Sequence, residues 1–511
     1  MPEMHRAVFL DRDGTLIEDV GCLENPEDIK LYPDTIDALQ LLQERYLLFV
    51  VTNQTWVSRG ELSMAEVETV NAALEGIFSE HGIRIEKWYV CPHGKDDECE
   101  CRKPGDAFLR EAAGNYGLDL GHSFIIGDHP HDVVTGKSLG VFGLYVLTGH
   151  GRRHLSELNG ESLIFHGLRE AAGWIMDHPN SSVDLEDAVA RGAESLRRGG
   201  LVVFPTETVY GLGADALNPD AVRKIFAAKQ RPLYNPLIVH VADRQQVELL
   251  VEDMPAIAVK LMDRFWPGPL TLVLPKSRYV PDIITAGNPT VAVRMPSHRL
   301  ALELIAAAGT PVAAPSANSF GRTSPTTADH VREQLDGRYD VLIDGGACQV
   351  GVESTVLSLI GRQPKILRHG GVTREAIESV VGPVTTLEEE KPEEDQGKRT
   401  LHSPGMLPSH YAPRTPVRLY TVFPHELLTD AEVGFLLLQP SEKDISGPVE
   451  VLSASGDLSE AATNLYAALL RLDSAGLRLI VSHPFPGNNI GAAINDRLTR
   501  ASRDGEINAN E

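Results

Sequence analysis

The sequence predicts an α/β protein of several domains, the first of which is built on a parallel sheet. Three short apolar segments have the length of buried strands, and they cover residues 7–10, 47–51 and 124–126. Stretches with helical periodicity lie between them, for example residues 66–81. Because strands alternate with helices, we expect helices on both faces of a parallel sheet. Each strand ends in polar residues, which favours ligand binding at the carboxyl edge of that sheet.

The chain has 511 residues and is too long for a single hydrophobic core. We predict a first domain over residues 1–179, a second over residues 185–383 and a third over residues 403–511. Residues 384–402 between the last two are acidic and contain few apolar side chains. We therefore expect them to form a solvated linker.

The start of the second domain and the elements of the third have local signals. Asp184 or Asp187 is expected to cap a helix that runs to Arg198 and stops at Gly199. The third domain has an α/β pattern as well, with strands predicted over residues 417–420, 433–438 and 477–481 and a helix over residues 460–472.

Composition and charge exclude some classes of function. The formal net charge of −24 argues against a nucleic-acid-binding surface, which needs clustered Lys and Arg. Local cations can still bind anionic substrates inside a cleft. Uninterrupted apolar runs stay well below 18 residues, so we expect no membrane span. The first residues do not have the pattern of a signal peptide, and we expect a cytoplasmic protein.

Two aspartates directly after the first strand indicate phosphate-ester chemistry. Asp11 can attack phosphorus, and Asp13 can protonate the leaving group and later activate water. Asp128 follows the third strand and would supply a further oxygen ligand for Mg²⁺. Lys103 would neutralise charge, and Thr52 would donate a hydrogen bond to a phosphoryl oxygen. The alternative is that Asp-x-Asp-Gly forms an ordinary turn.

Three of the chain's five cysteines cluster with His93 in the first domain and indicate a metal site. Cys91-x-His93 and Cys99-x-Cys101 together provide one imidazole and three thiolates around a short acidic loop. This is a ligand set for closed tetrahedral Zn²⁺, and such a site would be structural. The alternative is a group of unrelated thiols beside a surface histidine. The total of five cysteines in the chain is a poor disulfide framework.

The second domain contains polar clusters that suggest a nucleotide and a small zwitterion bound together. Lys229 and Arg231 lie at the predicted end of a helix and suit a triphosphate. Ser316 and Asn318 alternate after an apolar run and offer groups to phosphate or ribose. Arg294 follows a short apolar segment and could bind a carboxylate. Taken singly, each of these could be a solvated surface or turn residue.

Residues 5 to about 150 resemble the haloacid dehalogenase superfamily, in particular the branch of heptose bisphosphate phosphatase and histidinol phosphatase. The motifs that carry the resemblance are Leu-Asp-Arg-Asp-Gly-Thr (10–15), Val-Thr-Asn-Gln (51–54), Ser-Arg-Gly (58–60), Cys-Pro-His (91–93), Cys-Glu-Cys-Arg-Lys-Pro (99–104) and Gly-Asp (127–128). It implies a Rossmann-like parallel-sheet domain and an aspartyl-phosphate intermediate, with Mg²⁺ held by Asp11, Asp128 and the backbone carbonyl of Asp13. It also implies substrate contacts from Asp19, Asn53, Arg59 and Arg102.

Residues from about 185 to 500 resemble the long, two-domain form of threonylcarbamoyl-AMP synthase. The matching motifs are Pro-Thr-Glu-Thr-Val-Tyr-Gly-Leu-Gly (205–213), Lys-Gln-Arg-Pro (229–232), Trp-Pro-Gly-Pro-Leu-Thr (266–271), Arg-Met-Pro (294–296), Pro-Ser-Ala-Asn (315–318), Ser-Thr-Val (354–356), Leu-Arg-His-Gly (367–370), Ser-Pro-Gly-Met (403–406), His-Tyr-Ala-Pro (410–413) and Ala-Ile-Asn-Asp-Arg-Leu (493–498). The resemblance implies a YrdC-like α/β domain with a twisted mixed sheet and a small C-terminal α/β domain.

This second resemblance implies that L-threonine, bicarbonate and ATP condense to threonylcarbamoyl-AMP and pyrophosphate, for the threonylcarbamoyladenosine modification of tRNA. The residues implied to bind threonine are Thr208, His240, Arg294 and Ser354. Those implied to bind ATP are Lys229, Arg231, Asn235, Thr290, Ser316, Asn318, Ser324, Arg368 and Tyr411, the last of which would close over the nucleotide. The expected partners are these substrates, a small phosphorylated metabolite and the downstream tRNA threonylcarbamoyl-transfer machinery.

Three alternatives to a bifunctional enzyme remain open at this point. The second domain could be an RNA-binding module, against which the net charge argues. The chain could be a carbamoyl-transfer maturation protein, but such a protein would carry paired Cys-x-x-Cys fingers, and the sequence has none. The first domain could regulate the second instead of catalysing, which its intact aspartates disfavour.

Overall fold

A computed structural model describes residues 4–158, 162–179, 181–387, 411–502 and 507–508. The chain divides into two compact units, Met1–Glu186 and Asp187–Glu511, and each is described by itself. Within the described ranges, no helix is both long enough and apolar enough to cross a membrane.

The strands of the first unit form one six-stranded sheet. They are β1 (Ala7–Leu10), β2 (Leu47–Asn53), β3 (Ile85–Cys91), β4 (Phe124–Gly127), β5 (Phe142–Val146) and β6 (Leu163–Phe165). Their order is β3-β2-β1-β4-β5-β6, and every neighbouring pair is parallel. The order reverses between β1 and β4, and this is where sheets of this kind bind ligands.

The helices of the first unit connect these strands. They are α1 (Thr35–Leu42), α2 (Thr55–Ser58), α3 (Met64–Glu80), α4 (Ala107–Tyr116), α5 (Pro130–Val134) and α6 (Leu168–Asp177), and 3-10 turns cover Pro26–Asp28, Leu120–His122, Lys137–Leu139 and Leu155–Glu157. Helix α3 begins with a capping box, in which Ser63 and Glu66 each accept a backbone N–H of the other. Helix α7 (Ser181–Arg197) continues into the second unit.

The larger sheet of the second unit has ten strands. They are β7 (Val202–Phe204), β8 (Gly211–Asp215), β9 (Ile238–His240), β10 (Leu270–Pro275), β11 (Thr290–Arg294), β12 (Val312–Ala313), β13 (Val341–Leu342), β14 (Thr355–Ser358), β15 (Lys365–Arg368) and β16 (Thr385–Thr386). The order is β13-β7-β8-β12-β9-β11-β10-β14-β15-β16. Parallel and antiparallel pairs both occur, so the sheet is mixed.

The helices that accompany this sheet are α8 (Pro219–Lys229), α9 (Arg244–Leu250), α10 (Ala256–Phe265), α11 (Asp282–Thr285), α12 (Arg299–Ala308), α13 (Ala328–Leu335) and α14 (Arg374–Val381). Helix α8 starts at the cap residue Asn218, whose side chain accepts two backbone N–H groups, with Pro219 at its first position. It ends at Gln230, which has a left-handed backbone with φ of 54°. Because the helix stops here, Lys229 is its last residue and Arg231 lies outside it.

A five-stranded parallel sheet forms the C-terminal region. Its strands are β17 (Val417–Tyr420), β18 (Val433–Leu437), β19 (Val449–Val451), β20 (Leu479–Ser482) and β21 (Ile507–Asn508), in the order β19-β18-β20-β17-β21, and its helices are α15 (His425–Leu428), α16 (Leu458–Ser474) and α17 (Gly491–Ala501). One apolar cluster joins this region to Val209 and Val352 of the larger sheet domain.

The predicted α/β fold class is confirmed, with a parallel sheet in the first unit and a mixed and a small parallel sheet in the second. The start of α7 differs from the prediction, because the helix begins at Ser181 and Asp184 lies in its first turn instead of capping it. A carboxylate there still interacts favourably with the helix dipole. The larger sheet extends to Thr386, within the predicted linker. The rest of that linker lies outside the described residues, and the three domain boundaries stay predictions.

Candidate active sites

Three buried carboxylates meet where the strand order of the first unit reverses. Asp11 follows β1, Asp128 follows β4, and Asp132 lies in α5. Carboxylate oxygens of all three lie within 4.8 Å of one another. Gly14 closes one side of this cluster with φ of +85°, and a Cβ there would lie 2.1 Å from Oδ2 of Asp128. Only glycine therefore leaves room for that carboxylate.

Lys103 supplies a buried cation in this cluster. Its Nζ lies 2.5 Å from Oδ1 of Asp11 and 2.6 Å from Oδ1 of Asp132. Burial, together with the charge of Asp132, outweighs Lys103 and raises the pKa of Asp11 to about 7. Burial and the charge of Asp11 raise the pKa of Asp128 to about 8. Three carboxylates around one ammonium leave negative charge uncompensated, and this donor set fits Mg²⁺, which prefers oxygen ligands.

The Asp13 carboxylate is held by neighbours that the sequence did not single out. Arg12 donates to both of its oxygens, and Gln54 donates to Oδ2 at 2.8 Å. The guanidinium of Arg12 is itself anchored to Oδ1 of Asn71 at 2.8 Å. Thr52 also donates to Asp13, at 3.3 Å. The hydroxyl that we expected to contact a phosphoryl oxygen thus contacts the expected acid–base residue.

The four predicted substrate contacts have different surroundings. The amide oxygen of Asn53 accepts a hydrogen bond of 3.1 Å from the backbone N–H of Lys103, and so orients that lysine. Arg102 donates to Oγ1 of Thr55 at 2.8 Å. The guanidinium of Arg59 lies 5.0 Å from the ring centre of Trp56.

Asp19, the last of the four, is linked to the carboxylate cluster through one histidine. His150 lies with its Nδ1 at 3.5 Å from Oδ2 of Asp19. Its backbone N–H donates to Oδ2 of Asp128 at 2.6 Å. The contact between this loop and Asp128 could not be identified from the sequence, because it is made by the main chain.

Cys91, His93, Cys99 and Cys101 converge as the sequence predicts. Sγ of Cys101 lies 3.4 Å from Sγ of Cys91 and 3.3 Å from Nδ1 of His93, and the two sulfurs of Cys91 and Cys99 are 3.9 Å apart. These separations exceed a disulfide bond. They match the edges, about 3.5–3.8 Å, of a tetrahedron with Zn–S bonds of about 2.3 Å. The donor set therefore fits Zn²⁺.

The second unit contains a pocket lined by residues of the mixed sheet and of the segments that follow its strands. Eight of the predicted site residues line it: Thr208, Arg231, His240, Arg294, Ser316, Ser354, Arg368 and Tyr411. They come from strands and loops spread over about two hundred positions of the sequence. Pocket residues that we had not predicted include Thr206, Val209 and Glu353.

One end of the pocket is cationic. Arg231 is held by the carbonyl oxygens of Asn235 and Pro236, and burial lowers its pKa to about 9. Arg368 donates from Nε and Nη2 to the carbonyl oxygen of Ser354, and from Nη2 to its hydroxyl at 3.1 Å. Two guanidiniums in one buried site attract polyanions.

The other end offers a guanidinium and neutral polar groups. Nη2 of Arg294 lies 2.7 Å from Oε1 of Glu207, and the two side chains form a buried ion pair. Nδ1 of His240 is buried and has no hydrogen-bond partner in the described structure. Burial and the charge of Arg294 lower the pKa of His240 to about 3, so the imidazole is neutral. Thr208 shares a hydrogen bond with Thr206 at 2.9 Å.

Lys229 is not among the residues that line the pocket, and its predicted contact with ATP stays a prediction. Its Nζ donates to the carbonyl oxygens of Ser316 and Asn318 and to Oδ1 of Asn318. Burial lowers the pKa of Lys229 well below its usual value. Because these acceptors already surround the ammonium, it holds the loop that carries Ser316.

Four further predicted ATP contacts are not among the residues that line the pocket in the described structure: Asn235, Thr290, Asn318 and Ser324. Thr290 begins β11, whereas Arg294 ends it, and four residues of strand separate positions by about 13 Å. Ser324 donates to Oε1 of Glu353 at 2.6 Å and so lies behind the wall. Both amide atoms of Asn235 are buried without a hydrogen-bond partner in the described structure, which leaves them available to a ligand.

A family model described as "Telomere recombination" (Sua5_yciO_yrdC) matches residues 194–370, and one described as "Threonylcarbamoyl-AMP synthase, C-terminal domain" matches residues 372–503. The threonylcarbamoyl-AMP synthase of Bacillus subtilis is 43% identical over 339 residues, which are 64% of this chain and 97% of that protein. The chain belongs to the threonylcarbamoyl-AMP synthase family.

Solved structures and a further model extend this assignment. A crystal structure of P. abyssi Sua5 complexed with L-threonine matches with a TM-score of 0.58 and 41% identity, over 62% of this chain and 95% of that one. A model described as HAD-hydrolase-like matches residues 100–171. A D,D-heptose 1,7-bisphosphate phosphatase from B. bronchiseptica matches over 34% of this chain and 99% of that one, with 26% identity and a TM-score of 0.32. The three family models, over residues 100–171, 194–370 and 372–503, confirm the predicted fusion of a haloacid dehalogenase-like domain with a two-domain synthase.

Several residues around the pocket of this synthase family member were not predicted to act there. Glu207 lies inside one of the motifs identified above, and Glu353 directly precedes Ser354 of another. Both could therefore have been found from the sequence. Tyr466 and Arg497 contact Glu353 from α16 and α17. Their sequence neighbourhoods carry no pattern that points to Glu353.

Proposed function

We propose that the second unit condenses L-threonine, bicarbonate and ATP to threonylcarbamoyl-AMP and pyrophosphate. The observation that carries the proposal is one pocket that combines two buried guanidiniums, Arg231 and Arg368, with a carboxylate-binding group, Arg294. A nucleotide polyphosphate and an amino acid can therefore bind side by side. The family membership and the threonine complex of the P. abyssi relative support the same substrates.

The chemistry requires threonine's amine to react first with bicarbonate to form a carbamate. A carbamate oxygen then attacks the α-phosphorus of ATP, the bond to the β-phosphate oxygen breaks, and pyrophosphate leaves with its electron pair. Such a displacement needs little covalent help from the protein and depends on positioning and charge neutralisation. Arg231 and Arg368 would bind phosphate oxygens, with Asn235 and Ser316 beside them.

The polar end of the pocket would bind threonine. Arg294 would bind the carboxylate, and Ser354 and Thr208 would contact the amino acid through their hydroxyls. A neutral His240 can donate or accept one hydrogen bond without adding charge beside Arg294. A methyl-sized cavity would discriminate threonine from serine by only about 1–3 kcal/mol.

Pyrophosphate release tests this proposal. The full-length chain is incubated with ATP and with L-threonine, bicarbonate, both or neither, and pyrophosphate is measured. Release should require both co-substrates. Equal release from ATP alone would contradict the synthase proposal. We propose that the product passes to the tRNA threonylcarbamoyl-transfer machinery.

We propose further that the first unit hydrolyses phosphomonoesters. Asp11 would attack phosphorus and form an aspartyl-phosphate, while Asp13 would protonate the leaving alkoxide and then accept a proton from water. Lys103 would favour the ionised form of Asp11 and neutralise phosphate charge. Bound Mg²⁺, held by Asp11, Asp128 and the backbone carbonyl of Asp13, would supply charge stabilisation for the phosphoryl group. The substrate class is a small phosphorylated metabolite, such as a sugar bisphosphate or an amino-alcohol phosphate.

The phosphatase proposal is tested on the full-length chain with a panel of phosphate monoesters, with and without Mg²⁺. An Asp11→Asn variant serves as the control for contaminating phosphatases. Turnover that Asp11→Asn leaves unchanged would contradict the proposal. Within this unit, Zn²⁺ bound by Cys91, His93, Cys99 and Cys101 would be structural, because all four positions are protein ligands. It would fix the loop that ends in Arg102 and Lys103.

A further inference from the structure

The guanidinium of Arg497 is buried next to the synthase pocket, although the residue belongs to α17 of the C-terminal region. Its side chain has no exposed surface. Nε donates to Oε2 of Glu353 at 2.7 Å, and Nη2 donates to the carbonyl oxygen of His369 at 2.9 Å. The ring of Tyr411 lies 4.9 Å from the guanidinium carbon. One side chain of the C-terminal region thus contacts a carboxylate, a main-chain carbonyl and an aromatic face outside its own helix.

These three partners belong to the wall of the pocket. Glu353 and Tyr411 line it, and His369 follows Arg368, which also lines it. A planar guanidinium donates in fixed directions. Its position therefore determines how these wall segments lie relative to one another.

A second residue of the C-terminal region acts on the same carboxylate. The hydroxyl of Tyr466, in α16, lies 2.9 Å from Oε2 and 3.2 Å from Oε1 of Glu353. Its ring stacks on Tyr411 with centroids 6.1 Å apart. Ser324 occupies the remaining side of Glu353, with a hydrogen bond of 2.6 Å to Oε1. Glu353 is therefore a buried anion whose orientation depends on α16 and α17.

The main chain makes the same connection. Gly351 has φ of +73°, and a Cβ there would lie 2.4 Å from the carbonyl oxygen of Ala462 and 2.4 Å from Cα of Thr463, both in α16. Thr463 also donates to the carbonyl oxygen of Gln349 at 2.8 Å. Helix α16 thus packs directly on the segment that leads to Glu353.

We propose that Arg497 is a positioning residue of the synthase site, through which the C-terminal region sets the nucleotide side of the pocket. It acts through Glu353, Tyr411 and the segment of Arg368, and it does not itself touch substrate. This inference rests on the proposed synthase function. The C-terminal region is then part of the active site, because three pocket positions depend on it.

An Arg497→Lys variant tests the proposal, because lysine keeps the charge but cannot contact all three partners in one plane. Binding of ATP and of L-threonine is measured separately by titration calorimetry on the full-length chain, together with the KM values for pyrophosphate release. The Kd and KM for ATP should rise about tenfold, the value of one charge-assisted hydrogen bond, with a smaller change for threonine. Arg478→Lys is the matched control, since Arg478 pairs with Asp430 at the surface of the same region.

The outcomes separate the inference from the function on which it rests. An Arg497→Lys protein with wild-type affinity and KM for ATP overturns the inference. A variant that loses ATP and threonine binding equally, together with a less stable fold, overturns it as well. If Arg497→Lys does not fold, Tyr466→Phe removes only one hydroxyl from Glu353 and should weaken ATP binding in the same direction; unchanged ATP binding then overturns the inference. A wild-type protein that binds ATP but releases no pyrophosphate contradicts the synthase function instead.

Discussion

The Nζ atom of Lys103 lies 2.5 Å from Oδ1 of Asp11, although the two residues are 92 positions apart. The same ammonium contacts Asp132 at 2.6 Å. Both carboxylates counter the effect of burial and raise the pKa of Lys103, which therefore stays charged. The expected nucleophile of the phosphatase site is thus paired with a permanent cation.

Removing this cation should disable the phosphatase. In a Lys103→Met variant, Asp11 faces Asp128 and Asp132 without compensation, so its protonated form is favoured and phosphate charge is not neutralised. We expect the phosphomonoesterase kcat to fall about 10²–10³-fold, as when a preorganised electrostatic group is deleted. Pyrophosphate release from ATP should be unchanged in the same preparation.

Lys30→Met is the control for this experiment, because Lys30 is exposed and pairs loosely with Glu18 at 3.8 Å. It should leave both activities at the wild-type level. A Lys103→Met protein with full phosphatase activity would exclude the proposed role of the lysine.

Arg231→Ala should have the opposite effect. The variant loses one of the two buried guanidiniums of the synthase pocket, so it should bind ATP poorly and release no measurable pyrophosphate. Phosphatase turnover should persist. Both activities are assayed on one sample, and circular dichroism checks that the variant is folded. If Arg231→Ala eliminates both activities in a folded protein, the two sites are coupled and the separation proposed for them is incorrect.

The local parts of these sites could be predicted from the sequence, and the distant contacts could not. Asp11 and Asp128 follow short apolar strands, and parallel strands bring their carboxyl ends to one edge whatever the intervening sequence. The predicted zinc ligands between Cys91 and Cys101 are close enough in sequence to be grouped by spacing alone, and their side chains converge in the structure.

Lys229 and Glu353 illustrate what a sequence pattern leaves out. The ammonium of Lys229 binds main-chain carbonyl oxygens near Ser316, and a carbonyl acceptor has no residue signature. Glu353 meets Arg497 across 144 positions, between two domains whose packing decides the contact. In both cases the partner is selected by the fold and not by neighbouring residues.

Metal analysis should find about one equivalent of Zn²⁺ per chain in protein purified without chelator. Cys99→Ser removes one of four ligands and should lower both the zinc content and the phosphatase activity, because the loop before Lys103 loses its anchor. Cys22→Ser is the matched control, since Cys22 lies outside the cluster. Less than about half an equivalent in the wild-type protein would contradict the zinc assignment.

Glu353 should make the stability of the second unit sensitive to acid. Its pKa is about 2 in the folded chain, because Arg497, Arg368 and the hydroxyl of Ser324 overcome the effect of burial, which alone would raise it. Since the folded pKa lies below the ordinary value of 4.5, the ionised carboxylate stabilises the fold above about pH 4.5. This stabilisation, on the order of 3 kcal/mol, is lost as the pH falls from about 4.5 towards 2.

The comparison of wild type with Glu353→Gln isolates this effect from other carboxyl groups. Urea unfolding of both proteins is followed by circular dichroism from pH 7 to pH 3. If the two units unfold in separate transitions, the one that the substitution shifts at pH 7 is used. The difference in unfolding free energy should be constant down to about pH 5 and shrink below it. Glu450→Gln is the control, because Glu450 pairs with Arg471 near the surface, where an ion pair contributes about 0–1 kcal/mol. A difference that stays constant down to pH 3 would mean that Glu353 is not held as a buried anion, and the coupling assigned to Arg497 would lose its charge partner.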